Sequence, residues 1–553
     1  MQPTKTHTRV AFALASMLAA SGCATDPRTG QPSLKETFAS DDPCAHNSRN
    51  IGIGAGALLG AVVGNQFKHS NQARLLGAAL GAAAGGLIGN DMDNRRCALS
   101  KIAKQYNLDM QVETVDAAGE VHADDQAQRG TAAADKTATG TVVRLGELTG
   151  GHFAVNSDQL TDRAKLYFAA LADAYNDRIR AGNIADPQQR AAYIAAIAKR
   201  RILLVGHTDD TGNSRLNADL SERRAKSVSD FMAARGVPRE SLYFQGAGEF
   251  YPIASNAIEE GRLANRRVEI VEVADQVAFE RYLNARKPRY EFYRPDEAAQ
   301  LAANDAPSAA ALAAREPVKP VSKAPAASGK TTAGKAGTSR EAAAALATAA
   351  GKARPAPAGP RPLDFGGQPL AQAGALAGIG DAVDRRSLFS LISTAQAAEP
   401  AVTRNCTLDR PRVVGNVKAL TDGKAYRTSE HLPGLYGKTW TGQVNGHQIV
   451  VNKVAVLAGD GALANLPEFK VYADYDPRKN ANPTAAVQMT PQANVYVGNQ
   501  GVLYRMFLQG EGGMQCADIV FASSADANAK AGRLIYTHDG KLYASDFKPK
   551  MYK

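Results

Sequence analysis

Tryptophan is almost missing from this chain: Trp440 is the only one in 553 residues, and aromatic residues together make up 6%. So few rings leave little from which to build the stacking surface of a single-strand nucleic-acid groove. The formal net charge of +11 therefore needs another explanation. Cysteine is scarce too, with Cys23, Cys44, Cys97, Cys406 and Cys516 as the full set, and none stands at the C-x-x-C spacing of a zinc or redox site. No Gly-x-Ser-x-Gly, His-Glu-x-x-His or P-loop pattern occurs. His431, His447 and His538 are scattered without ligand spacing. Neither catalytic residues, nor a metal site, nor a cofactor is expected.

What is present begins at the N-terminus. Lys5 and Arg9 precede a short apolar run, Val10 to Ala20, too short for an ordinary membrane span. Ala20-Ser-Gly-Cys23 then resembles a lipobox, which implies residues 1–23 as a lipoprotein signal peptide and Cys23 as the lipidated first residue. Ala20 replaces the usual leucine, so plain cleavage or an uncleaved helix stays open. Ala24 is not the aspartate of an inner-membrane retention signal, which by the same resemblance places the anchor in the outer membrane, on its periplasmic face. In an exported chain the other four cysteines are expected to pair as Cys44–Cys97 and Cys406–Cys516. The alternative is two pairs of free buried thiols.

Residues 44–97 hold two matched glycine runs. Gly52, Gly56, Gly60 and Gly64 recur every fourth residue, as do Gly77, Gly81, Gly85 and Gly89. This spacing predicts a helical hairpin whose glycine faces let backbones approach closely. An arm from Ile51 to Gly64 is only ~21 Å long at ~1.5 Å per residue, against a hydrocarbon core of ~30 Å. Partial insertion, spanning of a thinned outer membrane, packing with copies of itself in a homo-oligomer, and a self-packed hairpin away from lipid all remain open.

The most informative stretch is Gly206 to Val228, GHTDDTGNSRLNADLSERRAKSV. An apolar run, Ile202 to Val205, leads into a polar turn with Thr208, Asp209 and Gly212, and a helix pattern follows. At about 100° per residue, Arg224 falls within a stripe formed by Leu216, Leu220, Val228 and Phe231. A guanidinium aimed inward needs an anionic partner, and the turn offers Asp209. Such a pair holds a small zwitterion, or it is a structural ion pair. His207 beside it has no accompanying nucleophile and reads as a packed turn histidine.

This stretch, with Gly246-Ala-Gly-Glu249, Pro252-Ile-Ala-Ser-Asn256 and Asn265-Arg-Arg-Val-Glu-Ile270, resembles the peptidoglycan-binding domain of the OmpA C-terminal family. The resemblance covers residues 141–274 and implies an α/β sandwich domain that grips the diaminopimelate of the wall stem peptide. On the matching positions Asp209 takes the ligand ammonium and Arg224 its carboxylate, with Asn217 and Arg266 as further candidates. With the lipobox, the zipper and Asp26-Pro-Arg-Thr-Gly30, residues 1–274 resemble the glycine-zipper OmpA-family outer-membrane lipoproteins. One departure is a longer polar and Ala-rich helical stretch between Tyr167 and Arg200, containing Pro187, that could alter the pocket rim.

Residues 300–400 read as a low-complexity Ala/Pro/Lys linker, most biased from Pro307 to Pro362, where almost no large apolar side chain occurs. Such a segment cannot bury enough surface to offset its ordering entropy, so a disordered basic tether is expected, able to lie on anionic wall polymers. Ser387 to Ala398 reads as a short amphipathic helix or a relic of gene fusion. From 403 to 553 β-rich runs alternate with turns, among them the hairpin signals Asn445-Gly446 and Asp539-Gly540. An all-β domain of unknown function is expected there, with Trp440 in its core.

The whole reads as a multidomain α+β protein: glycine-zipper helical hairpin, OmpA-like domain, disordered linker and C-terminal all-β domain. The expected function is non-enzymatic. It is peptidoglycan binding that links outer membrane and wall, with the C-terminal domain presented to an unknown protein partner and no nucleic acid involved. Two rivals are a subunit of an envelope-spanning secretion or motor complex and a wall-acting enzyme with a catalytic C-terminal domain.

Overall fold

The computed structural model describes Cys44, residues 91–123, 139–146, 151–295 without 155, 363–379 without 375, 377 and 378, and 401–552 without 427–430, 433, 458–462, 480–482, 499 and 523–527. Cys23, both glycine arms, the stretch 307–362 and Ser387–Ala398 lie outside these residues. Among the described residues no helix is long and apolar enough to cross a membrane.

Among the described residues, six strands precede residue 295: β1 (Met110–Val115), β2 (Val121–Ala123), β3 (Gly140–Gly146), β4 (Arg201–His207), β5 (Leu242–Gly248) and β6 (Arg267–Val273). Two short ones follow, β7 (Gln368–Pro369) and β8 (Lys418–Ala419). All but β7 form one sheet, ordered β2-β1-β3-β6-β4-β5-β8. Only β4 and β5 run parallel; every other neighbouring pair is antiparallel. The sheet thus gathers strands from both sides of 141–274, including one from beyond residue 403.

Helices around this sheet are α1 (91–106), α2 (Asp162–Tyr175), α3 (Asp177–Gly182), α4 (Pro187–Ile197), α5 (Ser214–Ala234), α6 (Glu259–Asn265) and α7 (Gln276–Ala285). Strand β4 is almost continuously apolar because both of its faces are covered. Phe168 and Leu171 of α2 and Val228 and Met232 of α5 meet Ile202, Leu204 and Ile270 on one face. Phe279 and Tyr282 of α7 meet Leu203, Val205 and Val271 on the other.

The stretch between Tyr167 and Arg200 resolves into the end of α2 followed by α3 and α4. Pro187 is the first residue of α4, where its missing N–H leaves no bond unmade. Arg180 pairs with Asp91, and Arg200 pairs with Asp177 at 2.6 Å and Glu272 at 3.1 Å, which ties this region to α1 and the sheet. Cys97 in α1 is bonded to Cys44.

The stripe expected on α5 is corrected. Leu216 is 67% exposed, and the buried face is made of small residues, Ser214, Ala218, Ser221, Ala225 and Ser229, with Val228 and Met232. The cause lies beneath it. Gly206 and Gly246 are side by side on β4 and β5, and a Cβ on either would stand 2.3 Å from the carbonyl oxygen of Ser221 or Ala218. The helix backbone therefore sits almost on the sheet, and only small side chains fit between.

Beyond residue 437 the described residues build two antiparallel sheets. One is ordered β12-β11-β10-β9-β18, from β9 (Lys438–Val444), β10 (His447–Val454), β11 (Glu468–Tyr472), β12 (Val487–Met489) and β18 (Lys550–Met551). The other is β13-β14-β15-β16-β17-β7, from β13 (Gln492–Val497), β14 (Gly501–Phe507), β15 (Met514–Ala522), β16 (Ala529–His538) and β17 (Lys541–Phe547), with β7 at its edge. Their inner faces share one core that includes Ile449, Val451, Phe469, Tyr504, Ile519 and Leu534. Trp440 is 2% exposed in it, against Phe521. Asn445-Gly446 and Asp539-Gly540 take the positive φ that a two-residue hairpin demands. Cys406 is bonded to Cys516 of β15.

The expected linker boundaries need correction as well. Within 300–400, Phe365 is 1% exposed in the sandwich core, packed edge-on against His447 and Tyr536, and Gln368 and Pro369 pair with β17. Leu363 and Phe365, immediately past Pro362, supply the apolar anchors that the preceding Ala/Pro/Lys stretch lacks.

Candidate functional site

Strand β4 ends at His207 and the chain turns through Thr208–Asn213 into α5. Gly212 takes φ +87°, and Asn213 caps the helix by accepting the N–H groups of Arg215 and Leu216. Within this turn Asp209 is doubly engaged. Its Oδ1 accepts the Thr211 N–H at 2.9 Å, and its Oδ2 accepts from Arg266 at 2.6 Å. Arg266 also reaches Glu259 at 3.0 Å. Asp209 is thus paired with Arg266, which follows α6, where the helix pattern alone points to Arg224.

Arg224 projects from the flank of α5's buried face. Its Nε donates to the Ser157 carbonyl at 3.0 Å, and its guanidinium lies 4.9 Å from the centre of the Phe153 ring. Asn217, one turn into α5, donates its amide to Glu249 at 2.9 Å and to the Thr211 carbonyl at 3.1 Å, with the Asp209 carbonyl at 3.4 Å. It holds the turn's backbone rather than facing the space beside Arg224.

A shallow pocket opens where these elements meet, lined by His152, Phe153, Gly206, His207, Arg224, Arg266, Arg267 and Val268. None of these residues comes from the α3–α4 region. Three guanidiniums therefore border one small space, an arrangement suited to a carboxylate. Arg267 is 3% exposed and donates to Glu269 at 2.9 Å and to the Tyr251 carbonyl at 3.0 Å. Burial pushes the Glu269 carboxyl up, but Arg267 and His207 outweigh it and hold the group well below the ordinary range. His207 is fully enclosed; burial and the Arg267 charge push its imidazole down to about 4, so it is neutral at neutral pH. Its Nε2 stands 3.5 Å from Glu269.

Phe153 and Ser157, which touch Arg224, and Arg267, which lines the pocket, are residues that the spacing argument passes over. The first two sit in an irregular loop with no periodicity to flag them. Arg267 lies within the Asn265-Arg-Arg motif, and only its burial separates its role from that of Arg266.

Among the described residues, Asp116, Glu120 and His122 could bring ligand atoms within 4.8 Å of one another. The Asp116 carboxylate already accepts the N–H groups of Ala118 and Glu120 and meets His122 Nε2 at 2.9 Å. A hydrogen-bonded turn accounts for that cluster without an ion.

Comparison with known proteins follows the same division of the chain. Residues 152–266 match the OmpA family, and residues 4–93 match the YMGG-like Gly-zipper. Over 78 residues the chain is 47% identical to the peptidoglycan-binding protein ArfA of Mycobacterium tuberculosis, covering 14% of this chain and 24% of that protein. It is 45% identical over 82 residues to outer membrane protein A of Bordetella avium, covering 15% and 42%. It is 44% identical over 85 residues to the putative lipoprotein YfiB of Escherichia coli, covering 15% and 53%. The chain spans between about a quarter and about half of the length of these curated relatives. The similarity to the OmpA family is thus confined to one stretch of the chain, and apart from Arg267 and Val268 the residues lining the pocket lie within it.

Proposed function

We propose that this chain is an outer-membrane lipoprotein, anchored through Cys23 on the periplasmic face, that binds peptidoglycan non-covalently and links the membrane to the wall. The observation that carries this reading is the pocket at the β4–α5 junction, where Arg224 and Arg266 line one space and Asp209 sits on Arg266. The free end of a diaminopimelate side chain carries one carboxylate and one ammonium. Arg224 offers the carboxylate a planar fork over a ring that excludes water from one side. The ammonium takes the Asp209 Oδ2 position that Arg266 fills in the free protein, while Arg266 keeps Glu259. Exchanging one cation for another on the same carboxylate leaves no buried charge unpaired. Asn217 acts indirectly, by fixing the turn. Its role, like that of the chain, is binding rather than catalysis.

Modest affinity per site suffices, because many copies under one membrane engage one polymer at once. The basic stretch 307–362 adds weak attraction to anionic envelope polymers. The C-terminal sandwich presents its outer strands to a further envelope protein.

The test is co-sedimentation of the detergent-solubilised full chain with purified sacculi containing diaminopimelate, beside Asp209→Ala and Arg224→Ala. Each substitution removes one member of a charged contact and is expected to cost roughly 2–4 kcal/mol of binding, with circular dichroism unchanged. Variants that pellet like the parent would show that general surface charge carries the binding and would end the diaminopimelate assignment.

A further inference from the structure

The chain from Asp409 to Tyr426 leaves the C-terminal sandwich and lies along the edge of the OmpA-family sheet. Its strand β8 pairs with β5, the Gly415 N–H donates to the Gly246 carbonyl at 2.8 Å, and the Val413 N–H donates to the Ser214 hydroxyl at 2.7 Å. Arg410 reaches furthest. It pairs with Glu249 at 3.0 Å, donates to the Gly212 carbonyl at 3.2 Å and binds the Asp210 carbonyl. Two of those contacts are on the turn that carries Asp209, and the third is on the carboxylate that receives Asn217.

Both ends of this connection are held by buried charged contacts. Asp409 is buried in the sandwich, where it accepts from Arg505 at 3.1 Å and Asn494 at 3.2 Å and pairs with Arg412. The Arg412 guanidinium stacks 3.9 Å over Tyr293, whose hydroxyl donates to the Phe250 carbonyl. On the other side the Glu249 side chain is fully enclosed, and Asp210 is 5% exposed with Arg294 at 3.1 Å. A carboxylate buried this deeply needs its cation held in place.

We propose that the C-terminal sandwich braces the wall-binding turn, with Arg410 as a positioning residue that fixes Asp209 through Glu249, Asn217 and the turn's own carbonyls. This rests on the wall-binding reading above. Arg410 does not line the pocket, so it shapes the site without competing for ligand. The turn contains Gly212 at positive φ and exposed residues on both sides of it. Held at two carbonyls and at Asn217, it keeps the Asp209 carboxylate in one place. Released, it samples other positions and the ligand must select the competent one, which weakens apparent affinity by the competent fraction.

The experiment compares the full chain with Arg410→Ala, Arg410→Lys, Gly415→Val and Arg224→Ala. It reads sacculus binding isotherms, thermal melting, and hydrogen exchange of the 208–217 peptide. Arg410→Ala is expected to weaken binding roughly tenfold, equivalent to ~1.4 kcal/mol, with faster exchange in 208–217 and little change in melting. Arg410→Lys restores part of both, because it keeps the charge facing Glu249. Gly415→Val reaches the same end without touching a charge, since a Cβ at Gly415 would stand 2.8 Å from the Gly246 carbonyl and lifts the segment. It decides the matter if Arg410→Ala does not fold. Parent-like binding by Arg410→Ala and Gly415→Val, with binding lost in Arg224→Ala, overturns the brace and leaves the wall reading standing. Parent-like binding in Arg224→Ala as well overturns both.

Discussion

His207 ends β4 with its imidazole enclosed between Glu269 and Arg267. Because burial lowers its pKa from 6.5 to about 4, the folded state prefers the neutral ring. The stability this contributes is complete above the unfolded value of 6.5 and is lost as pH falls toward 4, amounting to at most ~3 kcal/mol. His207→Gln cannot take up that proton. Its denaturation midpoint is expected to fall less steeply than the parent's between pH 6.5 and 4. A slope equal to the parent's would assign the acid sensitivity to other groups. Arg266 and Asp209 illustrate a different residue-scale effect: each already has an oppositely charged partner in the free protein.

At the scale of elements, the site depends on how closely α5 lies on β4 and β5. Gly206 and Gly246 admit the helix backbone where any Cβ would collide with a carbonyl oxygen. Gly206→Ala is therefore expected to destabilise the domain by roughly 1–3 kcal/mol, the range for overpacking. Because Gly206 also lines the pocket, wall binding should weaken with it. Urea midpoints and sacculus pelleting measured on one preparation check this. An unchanged midpoint would mean that the helix shifts without strain. The edge of β5 is covered in the same economical way, by two residues of β8 and the segment leading into it. An uncovered edge strand is a template for unwanted pairing.

For the molecule as a whole, two bodies meet across residues 290–293 and 409–426. The Tyr290 hydroxyl accepts the Val497 N–H at 2.9 Å, while the Tyr293 hydroxyl donates to the Phe250 carbonyl. The Cys406–Cys516 disulfide ties the start of the docking segment to β15 across 110 residues. Its removal as Cys406→Ser with Cys516→Ser is expected to cost about 2–4 kcal/mol. Calorimetry of the parent and the double variant gives the shift. If the docking segment depends on that anchor, exchange in 208–217 rises in the double variant too.

The local signals were legible from residue order. The turn after β4 and the Asn-Gly and Asp-Gly hairpins each act over a few residues, where backbone φ and side-chain period decide the outcome. The burial of Trp440 could likewise be read from its β-rich surroundings. The partner of Asp209 could not. Arg266 is 57 positions away, and only the sheet brings α6 beside the turn. The buried face of α5 was misread because hydropathy names Leu216 as the core residue, whereas the glycines on two other strands set how much volume is available. Phe365 and Arg410 show the same limit at greater distance, since a lone apolar or charged residue outside any periodic run has no local pattern. Sequence by itself determined the turns, the strands and the chemistry on offer, because those follow from bonded neighbours. Which charges meet, and which domain steadies the turn, was decided by the tertiary structure, because burial sets the need for a partner and topology supplies it.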